Sequence, residues 1–288
     1  MKTLALAVSA ALICTSQPAA QERPLPDLDA FLREARKHLE RDEERQSGYT
    51  YVETRHELKL DKNGRSTRET VKVLESYPGL PGEERWERVT SEDGKPVSAE
   101  DLAKKDRERE KKAQEYVRRM TKEPEKLRQD EARERQKDHQ ETLRLVDDIF
   151  SVYDFKMIGR EVIEGHETIA LALTPRPNSQ PRTRDGKYMK KFVVHAWVSE
   201  TDYELVRIDV EATDTVSVGL GLLARVHKGT RASFTRRKVN GEAWLPASAS
   251  YTASARIGLL KVMRVGGTSE FSGYRKFTVG TATTYTTK

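Results

Sequence analysis

Lys191-Phe192-Val193-Val194-His195-Ala196-Trp197-Val198-Ser199 alternates without a break. It sets Phe192, Val194, Ala196 and Val198 on one face of a strand and Val193, His195 and Trp197 on the other. The polar turn Glu200-Thr201-Asp202 follows, and Tyr203 to Val210 returns as a second strand. The same plan recurs on both sides. Lys156 to Ile163 turns at Glu164-Gly165-His166 into Thr168 to Thr174, and Asn240-Gly241 joins Phe234-Val239 to Ala243-Trp244-Leu245. Asn-Gly is a favoured two-residue hairpin turn because both positions need a positive φ. Pro175 to Gly186 reads as a loop. Strands joined by hairpin turns, with no helical period between them, predict an antiparallel meander, open or closed as a barrel.

Upstream, Leu28, Phe31, Leu32, Ala35 and Leu39 recur at helical spacing, which predicts one amphipathic helix from Leu28 to Gln46. Asp27 caps its start, and Ser47-Gly48 ends it. Tyr49 to Leu60 and Arg68 to Ser76 alternate around Asp61-Lys62-Asn63-Gly64 and form a hairpin. Turn signals fill Tyr77 to Pro96, with a short strand at Arg85 to Val89. From Ser98 to Asp148 the chain has no glycine, one proline and mostly charged side chains. Ser98 with Asp101 is a capping arrangement, and Pro124 divides the segment into two helices with a narrow apolar stripe at Ala113, Tyr116, Val117 and Met120. It reads as a helical hairpin that docks by its ends. The fold class expected is α+β, mostly antiparallel β, as a single domain over 21–288 with a helical insertion at 98–148.

The N-terminus carries Lys2, then an apolar run from Leu4 to Ile13, then Thr15-Ser16-Gln17-Pro18-Ala19-Ala20. This is the plan of a secretory signal peptide over 1–20, too short to span a bilayer. Cys14, the one cysteine, lies inside it, so the exported chain has no disulfide. Ile13 before it argues against lipidation, which wants a small residue there. The expected location is the periplasm, with no transmembrane segment in the mature chain. Lys and Arg number 52 against 46 Asp and Glu, a net charge of +6. The two signs are interspersed and export separates the chain from nucleic acid, so the basic balance reads as a solvated surface.

Nothing in the sequence reads as catalytic. His38, His56, His139, His166, His195 and His227 are scattered, without metal-ligand spacing. There is no Gly-x-Ser-x-Gly and no phosphate-binding glycine loop. Glu200, Asp202 and Glu204 are carboxylates close in sequence, with Asp202 read as a turn residue. No cofactor, metal or enzymatic activity is expected. Apolar character concentrates in two late runs, one with Leu220, Leu222 and Leu223 and one with Ile257, Leu259, Leu260, Val262 and Met263. Gly221-Leu222-Leu223 with Phe234 recurs 37 residues on as Gly258-Leu259-Leu260 with Phe271. A half-buried strand alternates. Strands apolar on both sides need either a cover, most simply the N-terminal helix, or a cavity for an apolar ligand. The candidate lining is Leu220, Leu222, Ile257, Leu259 and Met263. Trp197 and Trp244, each amid apolar neighbours in a strand, are expected in the core.

The order of leader, amphipathic helix and Tyr-x-Tyr strand is followed by Lys191-Phe192-Val193-Val194-His195-Ala196-Trp197-Val198 to Tyr203-Glu204-Leu205-Val206-Arg207-Ile208-Asp209. Val239-Asn240-Gly241-Glu242-Ala243-Trp244-Leu245-Pro246 comes after it. This order resembles the outer-membrane lipoprotein-sorting (LolA/LolB-like) half-barrel proteins, as a periplasmic relative rather than the sorting carrier itself. The resemblance implies an incomplete, half-open antiparallel barrel closed on one side by helices, with acyl chains in its apolar concavity. The charged segment 98–148 has no counterpart in that plan. The expected function is non-enzymatic binding or carriage of a lipid or lipoprotein acyl group. The alternative is an envelope protein–protein interaction module that uses the helical arm.

Overall fold

The computed structural model describes residues 23–41, 48–80, 83–218, 224–257 and 261–276. The leader therefore lies outside the described residues. Among the described residues one antiparallel sheet of 13 strands dominates, and it does not close into a barrel. The first strands are β1 (Tyr49–Leu60), β2 (Ser66–Tyr77), β3 (Trp86–Glu92) and β4 (Lys95–Pro96). After the helical arm come β5 (Tyr153–Ile163), β6 (His166–Pro175), β7 (Phe192–Ser199), β8 (Leu205–Ala212) and β9 (Val216–Val218). The last are β10 (Ala224–Val226), β11 (Arg231–Val239), β12 (Ala243–Ile257) and β13 (Lys261–Lys276). Across the sheet the order is β4-β3-β2-β1-β13-β12-β11-β8-β7-β6-β5, so the first hairpin is stitched to the last strand. No helix is long and apolar enough to cross a membrane among the described residues.

Strands β8 and β9 are one strand interrupted, and so are β10 and β11. The β8–β11 pairing ends at Glu211 with Arg231, and β9–β10 resumes at Val216 with Val226. The two breaks face each other and exchange bonds through Gly229 N–H to Ala212 O at 2.8 Å. Gly229 has φ +84°, a conformation that costs glycine little.

Helix α1 (Leu28–Leu39) lies on the β5–β8 part of the sheet, where Phe31 and Ala35 pack with Val152, Tyr153, Ile169, Leu171, Val194 and Ala196. Asp27 caps it by accepting from Ala30 N–H at 2.8 Å. The helix ends at Leu39 rather than Gln46, because Glu40 and Arg41 continue no apolar stripe that packing could reward. Residues 42–47 lie outside the described residues.

The charged segment forms two helices divided at Pro124, α2 (Ala99–Lys122) and α3 (Pro124–Val152). Ser98 caps α2, accepting from Asp101 N–H at 3.1 Å while its hydroxyl donates to the Asp101 carboxylate at 2.7 Å. No side chain of α2 is buried. Polar contacts dock it to the sheet instead. Arg88 binds both carboxylate oxygens of Asp106 at 2.8 Å, and the Arg109 guanidinium sits 4.8 Å from the Tyr77 ring and 4.6 Å from that of Trp86. Tyr116 donates to Glu131 at 2.8 Å and ties α2 to α3. Arg109→Ala is expected to loosen α2 with little effect on global stability, since each cation–π contact at such a site is worth ~0.5–1 kcal/mol. Hydrogen exchange by mass spectrometry checks this. The arm should exchange faster than β7 and β8 already in the wild type, and faster still in the variant, while the strands stay unchanged. Equal, slow exchange in arm and strands would contradict a polar dock.

The C-terminal end of α3 is different. Val146, Asp148 and Val152 are buried there. Asp148 accepts from the N–H groups of Arg182 and Thr183 and from the Thr183 hydroxyl at 2.8, 2.7 and 2.6 Å. These bonds fold part of the expected loop into a short helix, α4 (Arg184–Met189), capped by Thr183. Burial works against the Asp148 charge. The donation from Thr183 and from two backbone amides outweighs it, and the carboxyl is held below its ordinary range. Gly186 is required for space, because a Cβ there would collide with the Asp148 carboxylate.

Candidate functional site

Register carries one face of the sheet across the molecule, because directly paired residues share a face. Ile208 of β8 packs against the core under α1. It pairs with Phe234 of β11, Phe234 with Ala249 of β12, Ala249 with Ser269 of β13, and Ser269 with Arg55 of β1. The α1 face therefore continues onto β12 as Ala249, Tyr251, Ala253 and Ala255, and onto β13 as Met263, Val265, Gly267 and Ser269. The opposite face carries Ser248, Ser250, Thr252 and Ser254, opposed to Glu270, Thr268, Gly266 and Arg264.

Helix α1 does not reach this second half of the face. Ala249, Ala253, Ala255, Met263 and Val265 are only half-buried, and Tyr251 is 43% exposed. Of the two options for the late strands, a cover or a cavity, α1 does not supply the cover over the described part of β12 and β13. The helix follows the larger β-branched and aliphatic side chains of β6 and β7, where it buries more surface. What remains is a floor of small side chains. Gly267 makes room for Tyr251, since a Cβ at Gly267 would stand 2.7 Å from the Tyr251 ring and from His56 O.

One border of this floor is charged. Glu53, 4% exposed, is held by Arg55 at 2.7 and 2.8 Å and by the Ser269 hydroxyl at 2.6 Å. Burial opposes the Glu53 charge, and Arg55 with Ser269 overcomes it, keeping the carboxyl below its usual range. Arg85 lies over the Tyr51 ring at 4.6 Å and donates to Ser76 at 2.9 Å. A groove of about 360 Å³ opens beside α1. Leu32, Phe150 and Phe155 form its apolar part, and Arg33, Arg36 and Arg176 its cationic part.

Of the candidate lining, Leu220, Leu222 and Leu259 lie outside the described residues, as do the glycine-leucine triplets of the internal echo. Ile257 ends β12, its backbone paired with Ala224 on one side and Lys261 on the other. Met263 pairs with Ala255 and belongs to the small-residue face. Sequence reading took only Ala243 to Leu245 of β12 and missed ten residues whose signal was present. Ala247-Ser248-Ala249-Ser250-Tyr251-Thr252-Ala253-Ser254-Ala255-Arg256 alternates strictly. Among the described residues no cluster of three or more His, Cys, Asp or Glu is placed to hold a metal ion.

The chain is similar to several solved structures. One, a domain from Vibrio parahaemolyticus described as outer membrane lipoprotein-sorting, is 11% identical with a TM-score of 0.36, over 89% of this chain and 96% of that one. A LolA superfamily protein from Nitrosomonas europaea is 8% identical with a TM-score of 0.31, over 89% and 96%. A DUF1329 family protein from Desulfovibrio piger is 14% identical with a TM-score of 0.30, over 90% and 96%. No protein-family model and no curated protein sequence matches the chain. The fold itself rests on the strand pairing and register above.

Proposed function

We propose that this protein is a non-enzymatic, exported protein of the periplasm. In this reading it binds or carries the acyl chain of a lipid or lipoprotein along the open face of β12 and β13. The observation that carries the reading is the floor of Ala249, Ala253, Ala255, Val265 and Met263, half-buried small and apolar side chains on the part of the face that α1 leaves bare. Small side chains there leave room for a guest, and apolar surface left open in this way gains from being covered. The leader-like N-terminus supports export.

Displacement of a fluorescent fatty-acid probe, with native mass spectrometry of the purified protein, tests this. The wild type should bind the probe and carry co-purified lipid. Ala253→Glu should weaken probe binding about tenfold or more, because a carboxylate set against an alkyl chain has no compensating partner. Absence of both lipid and probe binding, or equal affinity in the variant, overturns the reading. The other reading, a protein-interaction module built on the helical arm, is favoured by the exposure of Val117 and Met120, 59% and 47%, on an element that buries almost nothing.

A further inference from the structure

The arm ends in a tip that neither the sheet nor the open face accounts for. Residues 115–128 carry Arg118, Arg119, Lys122, Lys126 and Arg128 against Glu115, Glu123 and Glu125. Three of the bases are paired locally: Arg118 with Glu115 at 3.7 Å, Lys126 with Glu123 at 3.2 Å, and Arg128 with Glu125 at 2.9 Å. Among the described residues Arg119 and Lys122 have no ion-pair partner. Both border a groove of about 150 Å³ at the hairpin turn, lined also by Arg118, Glu123 and Lys126 and floored by Leu127. Val117 and Met120, one helical turn apart, stand out into solvent on the side of α2 away from Arg119 and Lys122, so that an end-on approach of the tip presents both sets.

Among the described residues the ion pair furthest along α2 to a residue outside the arm is that of Lys112 with Glu83, in the loop between β2 and β3, at 3.3 Å. From there to Lys122 the helix advances ~15 Å at its usual rise. The tip thus combines reach, unpaired positive charge and exposed apolar side chains. Positive charge near an anionic leaflet attracts, and an apolar residue that enters the headgroup boundary adds burial.

We propose that the tip of the α2–α3 hairpin docks on the surface of a bilayer containing anionic phospholipid. The approach is end-on: headgroup phosphates sit against Arg119 and Lys122 on one flank of the tip, and Val117 and Met120 enter the interface on the other. The docking does not depend on whether the open face holds an acyl chain.

Co-sedimentation of the whole protein with vesicles tests it. Vesicles of mixed phosphatidylglycerol and phosphatidylcholine should carry the protein down, and vesicles of phosphatidylcholine alone should not. Raising the salt to about 0.5 M, where the screening length falls to a few ångströms, should release it. The double variant Arg119→Glu/Lys122→Glu should lose binding by more than about tenfold. Val117→Ser/Met120→Ser should weaken binding at unchanged charge. These four side chains are exposed or border the tip groove rather than the core, and an unaltered circular dichroism spectrum confirms folding. Equal sedimentation with both vesicle types, or wild-type binding by both variants, overturns the proposal. Sedimentation with neither vesicle also overturns it and directs attention to an acidic protein surface instead.

Discussion

Trp244→Ala is expected to cost about 3–5 kcal/mol, the range for emptying a large aromatic site in a core. Trp244 is 4% exposed. Its indole N–H donates to Asp202 at 3.1 Å, its ring stands 4.7 Å from His166, and its carbonyl accepts from the buried Arg236 at 2.7 and 3.2 Å. The carboxylate of Asp202 also holds Lys238 at 2.7 Å. Burial opposes the Asp202 charge, but Lys238 and Trp244 outweigh it and keep the carboxyl below its ordinary range. Removing the indole therefore opens a cavity and takes one donor from a half-buried acceptor. Trp244→Phe separates the two effects, since it keeps most of the volume and loses the N–H, and should cost about 1 kcal/mol. Trp197 is also buried, at 9%, but its N–H has no partner, so Trp197→Ala should fall below Trp244→Ala. Urea unfolding of the three variants checks the order. A loss under about 1 kcal/mol for both alanine variants would contradict the packing described.

Asp148→Ala should also be damaging, at about 2–3 kcal/mol, because it empties a buried site and leaves two part-buried amides and a hydroxyl without their acceptor. The effect has a pH signature. A carboxyl whose pKa is lowered on folding contributes stability that is fully present above its unfolded value, ~3.9, and is lost as pH falls through the lower folded value. The difference in unfolding free energy between wild type and Asp148→Asn should therefore be constant at neutral pH and shrink below about pH 4. A difference that grows with acidity would contradict the hydrogen-bonded, ionised Asp148 described here.

The parts of this molecule written in local chemistry were readable from the sequence. The β7–β8 hairpin follows strict alternation. Asn240-Gly241 supplies the two positive φ values, 54° and 71°, that a two-residue hairpin turn needs, and Ser98 and Pro124 mark both helix starts in the arm. Less readable were features that depend on contacts distant in sequence. Most of β12 alternates strictly, but its Ala and Ser favour strands weakly, so the signal is faint until pairing with β11 and β13 completes the strand. Helix α4 exists because Asp148, from another element, gathers its first turn. The candidate site was readable only in part. Sequence pointed to the late strands, and Met263 does stand on their open face. Which half of that face α1 would leave bare is decided by register across five strands, and no local pattern encodes that.

The stitching of β1 to β13 bears on how the chain reaches its fold. Glu53 and Ser269, 216 residues apart, share a hydrogen bond across that seam. Among the described residues, strands β1 to β4 pair with the rest of the sheet only through β13. Contacts of such separation carry a large loop-closure entropy and slow the search for the native state. The first hairpin formed along the chain must wait, with one edge unpaired, until the final described strand arrives. A nascent or truncated chain ending before Lys261 would hold two half-sheets with no seam between them, the open edge of β1 being its most aggregation-prone element.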